Sequence, residues 1–103
     1  MKGSDWMNMR MKKKYQKNHM YKDTWNLDYY IAKFILPRLK LFKKVTLGFP
    51  CDLKSINEWY DILDKMIAAF KILSTDEINT QDEQKIVNEG LDLFRKYYQD
   101  LWW

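Results

Sequence analysis

The sequence predicts an all-α fold, a small bundle of three main helices. Apolar residues recur at spacings of three and four along three long stretches, which places them on single helix faces. Two capping boxes, Ser55 to Glu58 and Thr80 to Glu83, mark the starts of helices. The chain contains only three glycines and two prolines, which argues against a β-sandwich with many tight turns.

The composition indicates one folded domain with a real core. The chain has 103 residues, of which 47% are hydrophobic and 17% aromatic, so a disordered protein is excluded. The single cysteine, Cys51, leaves no internal disulfide framework, and we expect a reducing cytosol. No apolar run reaches the ~20 residues of a membrane helix, so no membrane partner is expected.

The positive charge is concentrated at the N-terminus. Residues 1–22 carry seven Lys or Arg and one acid, a sum of +6, whereas residues 23–103 carry eleven basic and thirteen acidic side chains, a sum of −2. We therefore divide the chain into a basic arm, 1–22, and a helical-bundle domain, 23–103. The arm is either a solvated extension or a contact for phosphates or an acidic surface. Its candidate contact residues are Arg10, Lys12, Lys13, Lys14 and Lys17.

The first main helix is predicted over residues 26–44. Asn26 is the expected N-cap, and Asp28 suits the positive end of the helix dipole. Pro37 lies inside the pattern and removes one backbone hydrogen bond, so we expect a kink or a break there. The helix has a broad apolar face, made of Leu27, Tyr30, Ile31, Phe34, Ile35, Leu39 and Phe42.

The second helix is predicted over residues 55–74, after a connection in which Phe49 and Leu53 are expected to pack on the core. It has the longest apolar face of the chain, made of Trp59, Ile62, Leu63, Met66, Ile67, Phe70 and Leu73. Such a face is not stable in water, so the other helices must cover it.

The third helix is predicted over residues 80–101. Gly90 lies in its interior, where glycine costs about 0.5–1 kcal/mol relative to alanine. A close helix–helix contact at Gly90 would explain that cost. We expect at least one of the final indoles, Trp102 or Trp103, to pack on the domain or on a partner.

Residues suited to catalysis are scarce. The one histidine, His19, lies in the basic arm, and no glycine-rich loop is present to hold a phosphate. We therefore predict no enzyme, no catalytic residue, no metal site and no cofactor.

Residues suited to binding form two groups, one on the first helix and one at the end of the third. Aromatic rings can stack on bases or anchor a protein partner while basic side chains bind phosphates. The same aromatic residues could equally belong to the core, which is the interpretation we favour for Trp25, Trp59 and Phe94. The candidate ligand or interface residues are Trp25, Tyr29, Arg38 and Lys40, then Arg95, Lys96, Tyr98 and Trp102.

Trp, Pro and Gly recur in a fixed order over about residues 24–103. The pattern reads Trp25…Tyr30-Ile31-Ala32…Leu36-Pro37-Arg38-Leu39…Phe42, Gly48-x-Pro50, Glu58-Trp59…Ile62-Leu63-Asp64-Lys65-Met66-Ile67-x-Ala69-Phe70 and Glu89-Gly90-Leu91-x-Leu93-Phe94…Tyr97-x-x-x-Leu101-Trp102. It resembles a family of small helical proteins encoded by tailed bacteriophages, a family without an assigned activity. The resemblance implies an accessory phage protein in the cytoplasm of an infected bacterium, and it supplies no catalytic residues. The basic arm lies outside it.

These observations lead to one main hypothesis and two alternatives. The main hypothesis is a non-enzymatic phage protein that counters host defence by binding, either sequestering a nucleotide second messenger or inhibiting a host defence protein. The alternatives are nucleic-acid binding through the basic arm and a role in virion assembly. Seventeen aromatic residues are many for a chain of this length to bury, so we also expect a homo-oligomer.

Overall fold

The described part of the computed structural model, residues 16–75 and 80–102, is helical and contains no strand. A short helix, α1 (Tyr21–Trp25), precedes the three main helices, α2 (Leu27–Val45), α3 (Ile56–Leu73) and α4 (Gln81–Tyr97). A 3₁₀ turn, Tyr98–Asp100, continues from α4. The predicted all-α class with three main helices is therefore confirmed.

The N-terminal part differs from the prediction in detail. The predicted boundary between arm and domain, after residue 22, falls within α1. Helix α2 begins directly after Asn26, as expected, but the Asn26 side chain makes no capping hydrogen bond. Arg10, Lys12, Lys13 and Lys14 lie outside the described residues, as does Trp103, and Lys17 is exposed in a turn.

Pro37 does not break α2, which is continuous from Leu27 to Val45. The proline ring is exposed, so it does not occupy the helix–helix interface. Beyond the helix, the backbone N–H of Thr46 donates to the carbonyl of Phe42 at 2.9 Å. Of the two outcomes expected at Pro37, a kink or a break, the continuous helix excludes the break.

At both predicted helix starts, the N-cap hydroxyl accepts the expected hydrogen bond from the third residue of the helix. The Ser55 hydroxyl accepts from the backbone N–H of Glu58 at 3.3 Å, and the Glu58 carboxylate accepts from the N–H of Lys54 at 3.1 Å. The Thr80 hydroxyl accepts from the N–H of Glu83 at 3.0 Å. These bonds satisfy backbone donors that have no partner within their own helix.

Helix α3 is the central element, and α2 and α4 both pack against it. Its side chains Trp59, Leu63 and Met66 are at most 1% exposed. The Trp59 ring meets Phe42 of α2 edge-on at 6.3 Å and Tyr97 of α4 at 5.5 Å between centroids. Because one indole contacts both neighbours, α3 holds α2 and α4 in fixed positions relative to each other.

The helices α3 and α4 approach closely at Gly90, as the sequence predicted. A Cβ added to Gly90 would collide with the side chain of Ala69 and lie 2.6 Å from the carbonyl oxygen of Lys65. The Lys65 ammonium also forms a 3.0 Å ion pair with the Glu89 carboxylate beside this contact. Glycine is a poor helix former, but at position 90 a side chain would not fit between α3 and α4 at their present distance.

Two expectations about core packing are wrong. Trp25 is not a core residue, since 78% of its surface is exposed. Phe49 is also exposed, although Thr46 and Pro50 of the same connection are buried. Leu53 does pack against the core, and Trp59 is buried as expected.

Candidate binding surface

Helix α2 carries two distinct apolar faces. One face packs on α3 and includes Ala32 and Leu39, both buried. The other face is turned away from α3, and its large apolar side chains remain 37–60% exposed. We call this second face the α2 stripe, and it consists of Leu27, Ile31, Phe34, Arg38, Leu41 and Val45. It extends along the whole helix, about 28 Å at 1.5 Å per residue.

This division of α2 into two faces was not predicted from the sequence. The apolar pattern placed Leu27, Ile31 and Phe34 on the same buried face as Leu39, whereas the structure leaves those three exposed. The available signal was the width of the apolar face, which is greater than one neighbouring helix can cover. Leu41 and Val45 continue the exposed face at the same spacing.

Arg38 lies in the middle of the α2 stripe. Its guanidinium is 3.7 Å from the centroid of the Phe34 ring, and its Nη1 donates to the Phe34 carbonyl oxygen at 2.9 Å. A cation over an aromatic face is attracted by the ring quadrupole, by about 0.5–1 kcal/mol at an exposed site. The charged side chain is therefore held flat against the apolar surface instead of interrupting it.

A groove adjoins the stripe, between α2 and the C-terminal end of α4. It has a volume of about 420 Å³. Tyr98 stands at its rim with 63% of its surface exposed, and its ring meets that of Phe94 at 5.6 Å. The lining is apolar apart from one guanidinium and one phenol, and comprises Ile35, Arg38, Leu39, Phe42, Phe94, Tyr98 and Leu101.

A second hollow of about 310 Å³ lies at the other side of the C-terminal turn. Leu47 and Trp102 are 89% and 74% exposed, so the indole of Trp102 is not packed into the core. The hollow is lined by Leu47, Gly48, Phe49, Pro50, Trp59, Asp100 and Trp102.

The predicted site residues do not converge on one site. Arg38 and Tyr98 share the groove, while Trp102 lines the second hollow. Arg95 and Lys96 are exposed but do not line the groove, and the Lys96 ammonium lies 5.2 Å from the Tyr97 ring.

The remaining candidates lie on α2 or just before it. Tyr29 packs edge-on against Tyr30 at 5.7 Å, and its hydroxyl accepts from the Lys33 ammonium at 2.9 Å. Lys40 is exposed, and Trp25 lies at the end of α1. Three of the eight candidate residues, Tyr29, Arg38 and Lys40, thus lie on α2, and only Arg38 of these lines the groove.

One titratable group in the core has a shifted pKa. Burial, together with the hydrogen bond that its hydroxyl donates to the Asp52 carboxylate at 3.0 Å, raises the pKa of Tyr97 above 10.0. This pair fastens the connection before α3 to the end of α4. Within the described ranges, no group of three or more His, Cys, Asp or Glu residues could hold a metal ion.

Comparison of the chain with family models, with curated proteins and with solved structures found no match. Among the described residues, no helix is both long enough and apolar enough to cross a membrane.

Proposed function

We propose that this chain is a non-enzymatic protein that acts by binding another protein, and that the α2 stripe is its binding surface. The observation that supports this proposal is the second apolar face of α2. Fully burying a large apolar side chain contributes about 1.5–3 kcal/mol relative to leaving it in water. Leaving five such side chains about half exposed forgoes part of that stabilisation along one continuous surface.

A continuous apolar surface of this kind is typical of an interaction site. Interface hot spots favour aromatic and arginine side chains, and Phe34 with Arg38 supplies both at the centre of the stripe. The setting that we propose with it is counter-defence by a phage accessory protein in its host, with a host defence protein as one class of partner.

The experiment compares partners recovered from cells that express the tagged full chain. In the stripe variant, Phe34→Gln and Leu41→Gln remove two of the exposed apolar side chains. In the matched control, Ile86→Gln and Leu91→Gln make the same kind of change on α4, where both residues are also exposed. The cells also express a second, differently tagged copy of the chain. After crosslinking, we expect the wild type and the control to recover the same partner, whether it is another protein or this second copy. Equal recovery by the stripe variant would contradict the proposal.

A nucleotide ligand is the second candidate, and the groove is the observation that favours it. Arg38 could bind a phosphate there and the exposed ring of Tyr98 could stack on a base. Against it, the Arg38 guanidinium already stacks on Phe34, and Arg95 and Lys96 lie elsewhere.

The test of the nucleotide candidate is a thermal shift with cyclic di- and trinucleotides. A ligand at 100 times its Kd should add about 2.7 kcal/mol to the free energy of unfolding. The control is Tyr98→Leu, which should abolish the shift. The absence of any shift in the wild type would exclude this ligand class.

A further inference from the structure

We propose that the α2 stripe pairs with the α2 stripe of a second copy of this chain, in an antiparallel dimer with two-fold symmetry. This inference rests on the proposed function, because it names the partner of the same surface. It is carried by the spacing of the stripe, by the symmetry of that spacing and by the chemistry of its central residues.

The spacing of the stripe is that of a helix–helix seam. Its six positions follow one another at intervals of four, three, four, three and four residues. The average interval of 3.6 residues equals the period of the α-helix, so the stripe runs straight along one side of α2 over its full length. A straight stripe of this length can contact a partner helix from the first turn of α2 to the last.

The same spacing is unchanged when the helix is reversed. An antiparallel copy would therefore place Leu27 opposite Val45, Ile31 opposite Leu41 and Phe34 opposite Arg38. In a two-fold dimer each contact occurs twice, so the surface must be complementary to itself. In this register the four outer positions each meet an apolar side chain, and Phe34 and Arg38 meet each other.

The residues at the centre of the stripe, Phe34 and Arg38, would allow the charged Arg38 side chain to be buried in the dimer. Within one chain, the Arg38 guanidinium already stacks on the Phe34 ring at 3.7 Å. Across the two-fold axis, Phe34 of each copy would face Arg38 of the other, so each guanidinium would lie between two aromatic rings. A planar, weakly hydrated guanidinium tolerates such an environment far better than an ammonium would.

Charge and area set the strength expected of this dimer. Lys33, Lys40 and Lys44 flank the stripe on the side opposite the groove, and two copies would bring these flanks towards each other. Their repulsion opposes association and is screened by salt. The stripe with the groove rim is also smaller than the 20–30 residues a side of a standard interface. We therefore expect a reversible dimer whose affinity rises with salt.

Two other occupants are less compatible with these observations. The basic arm, with Lys12, Lys13 and Lys14, would add positive charge beside the lysine flank. An acidic helix of another protein would suit that flank, but its binding would weaken as salt rises. The direction of the salt dependence thus separates a second copy from an acidic partner.

The first test is sedimentation velocity of the purified full chain over a range of protein concentrations. We expect a monomer–dimer equilibrium that shifts towards dimer as salt rises from about 0.1 to 1 M, where the screening length falls from about 10 to 3 Å. The stripe variant, Phe34→Gln with Leu41→Gln, should raise the dimer Kd at least tenfold, whereas the α4 control should leave it unchanged. A chain that is monomeric throughout, or a dimer that the stripe variant does not weaken, would overturn the inference.

The second test addresses orientation by disulfide crosslinking. Cys51 is exposed and free, so it is first replaced by serine. Ile31→Cys and Leu41→Cys chains are then prepared separately and mixed. In the antiparallel register, the mixture should crosslink and neither sample should do so alone, because like positions lie ~15 Å apart along the axis. Crosslinking of either single sample, or none in the mixture, would contradict this register.

Failure of the dimer and failure of the proposed function are distinguishable. A purified chain that stays monomeric removes the second copy as partner. The stripe remains a binding surface in that case only if crosslinked cells still yield another protein that the stripe variant fails to recover.

Discussion

Gly90 shows how one residue sets the distance between two helices. The space that a Cβ would need is occupied by the side chain of Ala69 and by the backbone of Lys65. A helical backbone carbonyl cannot move away without displacing α3 itself. The sequence predicted this contact from the cost of an interior glycine, although it could not indicate which helix would lie against it.

We predict that Gly90→Ala destabilises the protein by about 1–3 kcal/mol, because overpacking outweighs the gain of up to 1 kcal/mol in helix propensity. Urea denaturation measures the change in the free energy of unfolding. The control is Gly48→Ala, where no atom lies within 4 Å of the added Cβ. A Gly90→Ala protein as stable as the control would show that the two helices can separate at little cost.

We predict that Tyr97→Phe lowers the free energy of unfolding by about 1 kcal/mol near neutral pH, through loss of the hydrogen bond to Asp52. The effect depends on pH, because burial and Asp52 raise the pKa of the folded phenol above the ordinary 10.0. The stabilisation from this shift is complete below pH 10.0 and is lost as pH rises through the folded pKa.

The measurement is urea denaturation of wild type and Tyr97→Phe from neutral pH to above 10.0. Comparing the two proteins cancels the titration of the other tyrosines and lysines. We expect the advantage of the wild type to shrink in the alkaline range. An advantage that grew there would contradict the assigned direction of the shift.

At the scale of the element, the predictable features were those that depend on nearby residues. The Ser55 and Thr80 capping boxes lie where the sequence placed them, because a cap needs only the next three residues. The exposure of Trp25 and of half the apolar residues of α2 was not predictable in the same way. Whether an apolar face is covered depends on how many helices pack against it, and periodicity does not reveal that number.

We predict that Pro37→Ala stabilises α2 by about 1–3 kcal/mol, because alanine restores the hydrogen bond to the Lys33 carbonyl that proline lacks. The exposed ring contributes little packing that alanine would lose. Thermal denaturation followed by circular dichroism measures the change, with Lys40→Ala as the exposed control on the same helix. A loss of stability would mean that the proline bends α2 onto α3 and that the core depends on the bend.

The leucines of the protein fall into those of the core and those of the surface. We predict that Leu63→Ala, at a side chain with 0% exposure, costs 2–5 kcal/mol through lost burial and a cavity. The same change at Leu41, which is 60% exposed, should cost less than about 1 kcal/mol in dilute protein. Chemical denaturation measures both, and similar costs would contradict the exposed position of the stripe.

The candidate site was only partly predictable from the sequence. The sequence named Arg38 and Tyr98 as candidates, and both line the groove although 60 positions separate them in the chain. It could not separate them from Arg95 and Lys96, because a helix turns by about 100° per residue and neighbours in sequence point to different sides. The second face of α2, which no other helix among the described residues covers, can be recognised only once α3 is seen to cover the first.

The most direct test of the central claim is the reaction rate of a thiol in the stripe. In a Cys51→Ser background, Leu41→Cys is labelled with iodoacetamide, and Asp61→Cys on the exposed side of α3 is the control. We predict that both thiols react equally fast in dilute protein and that only the thiol at position 41 slows as the chain is concentrated. A thiol at position 41 that is protected even at the highest dilution would show that the chain itself covers the stripe, and would contradict the account.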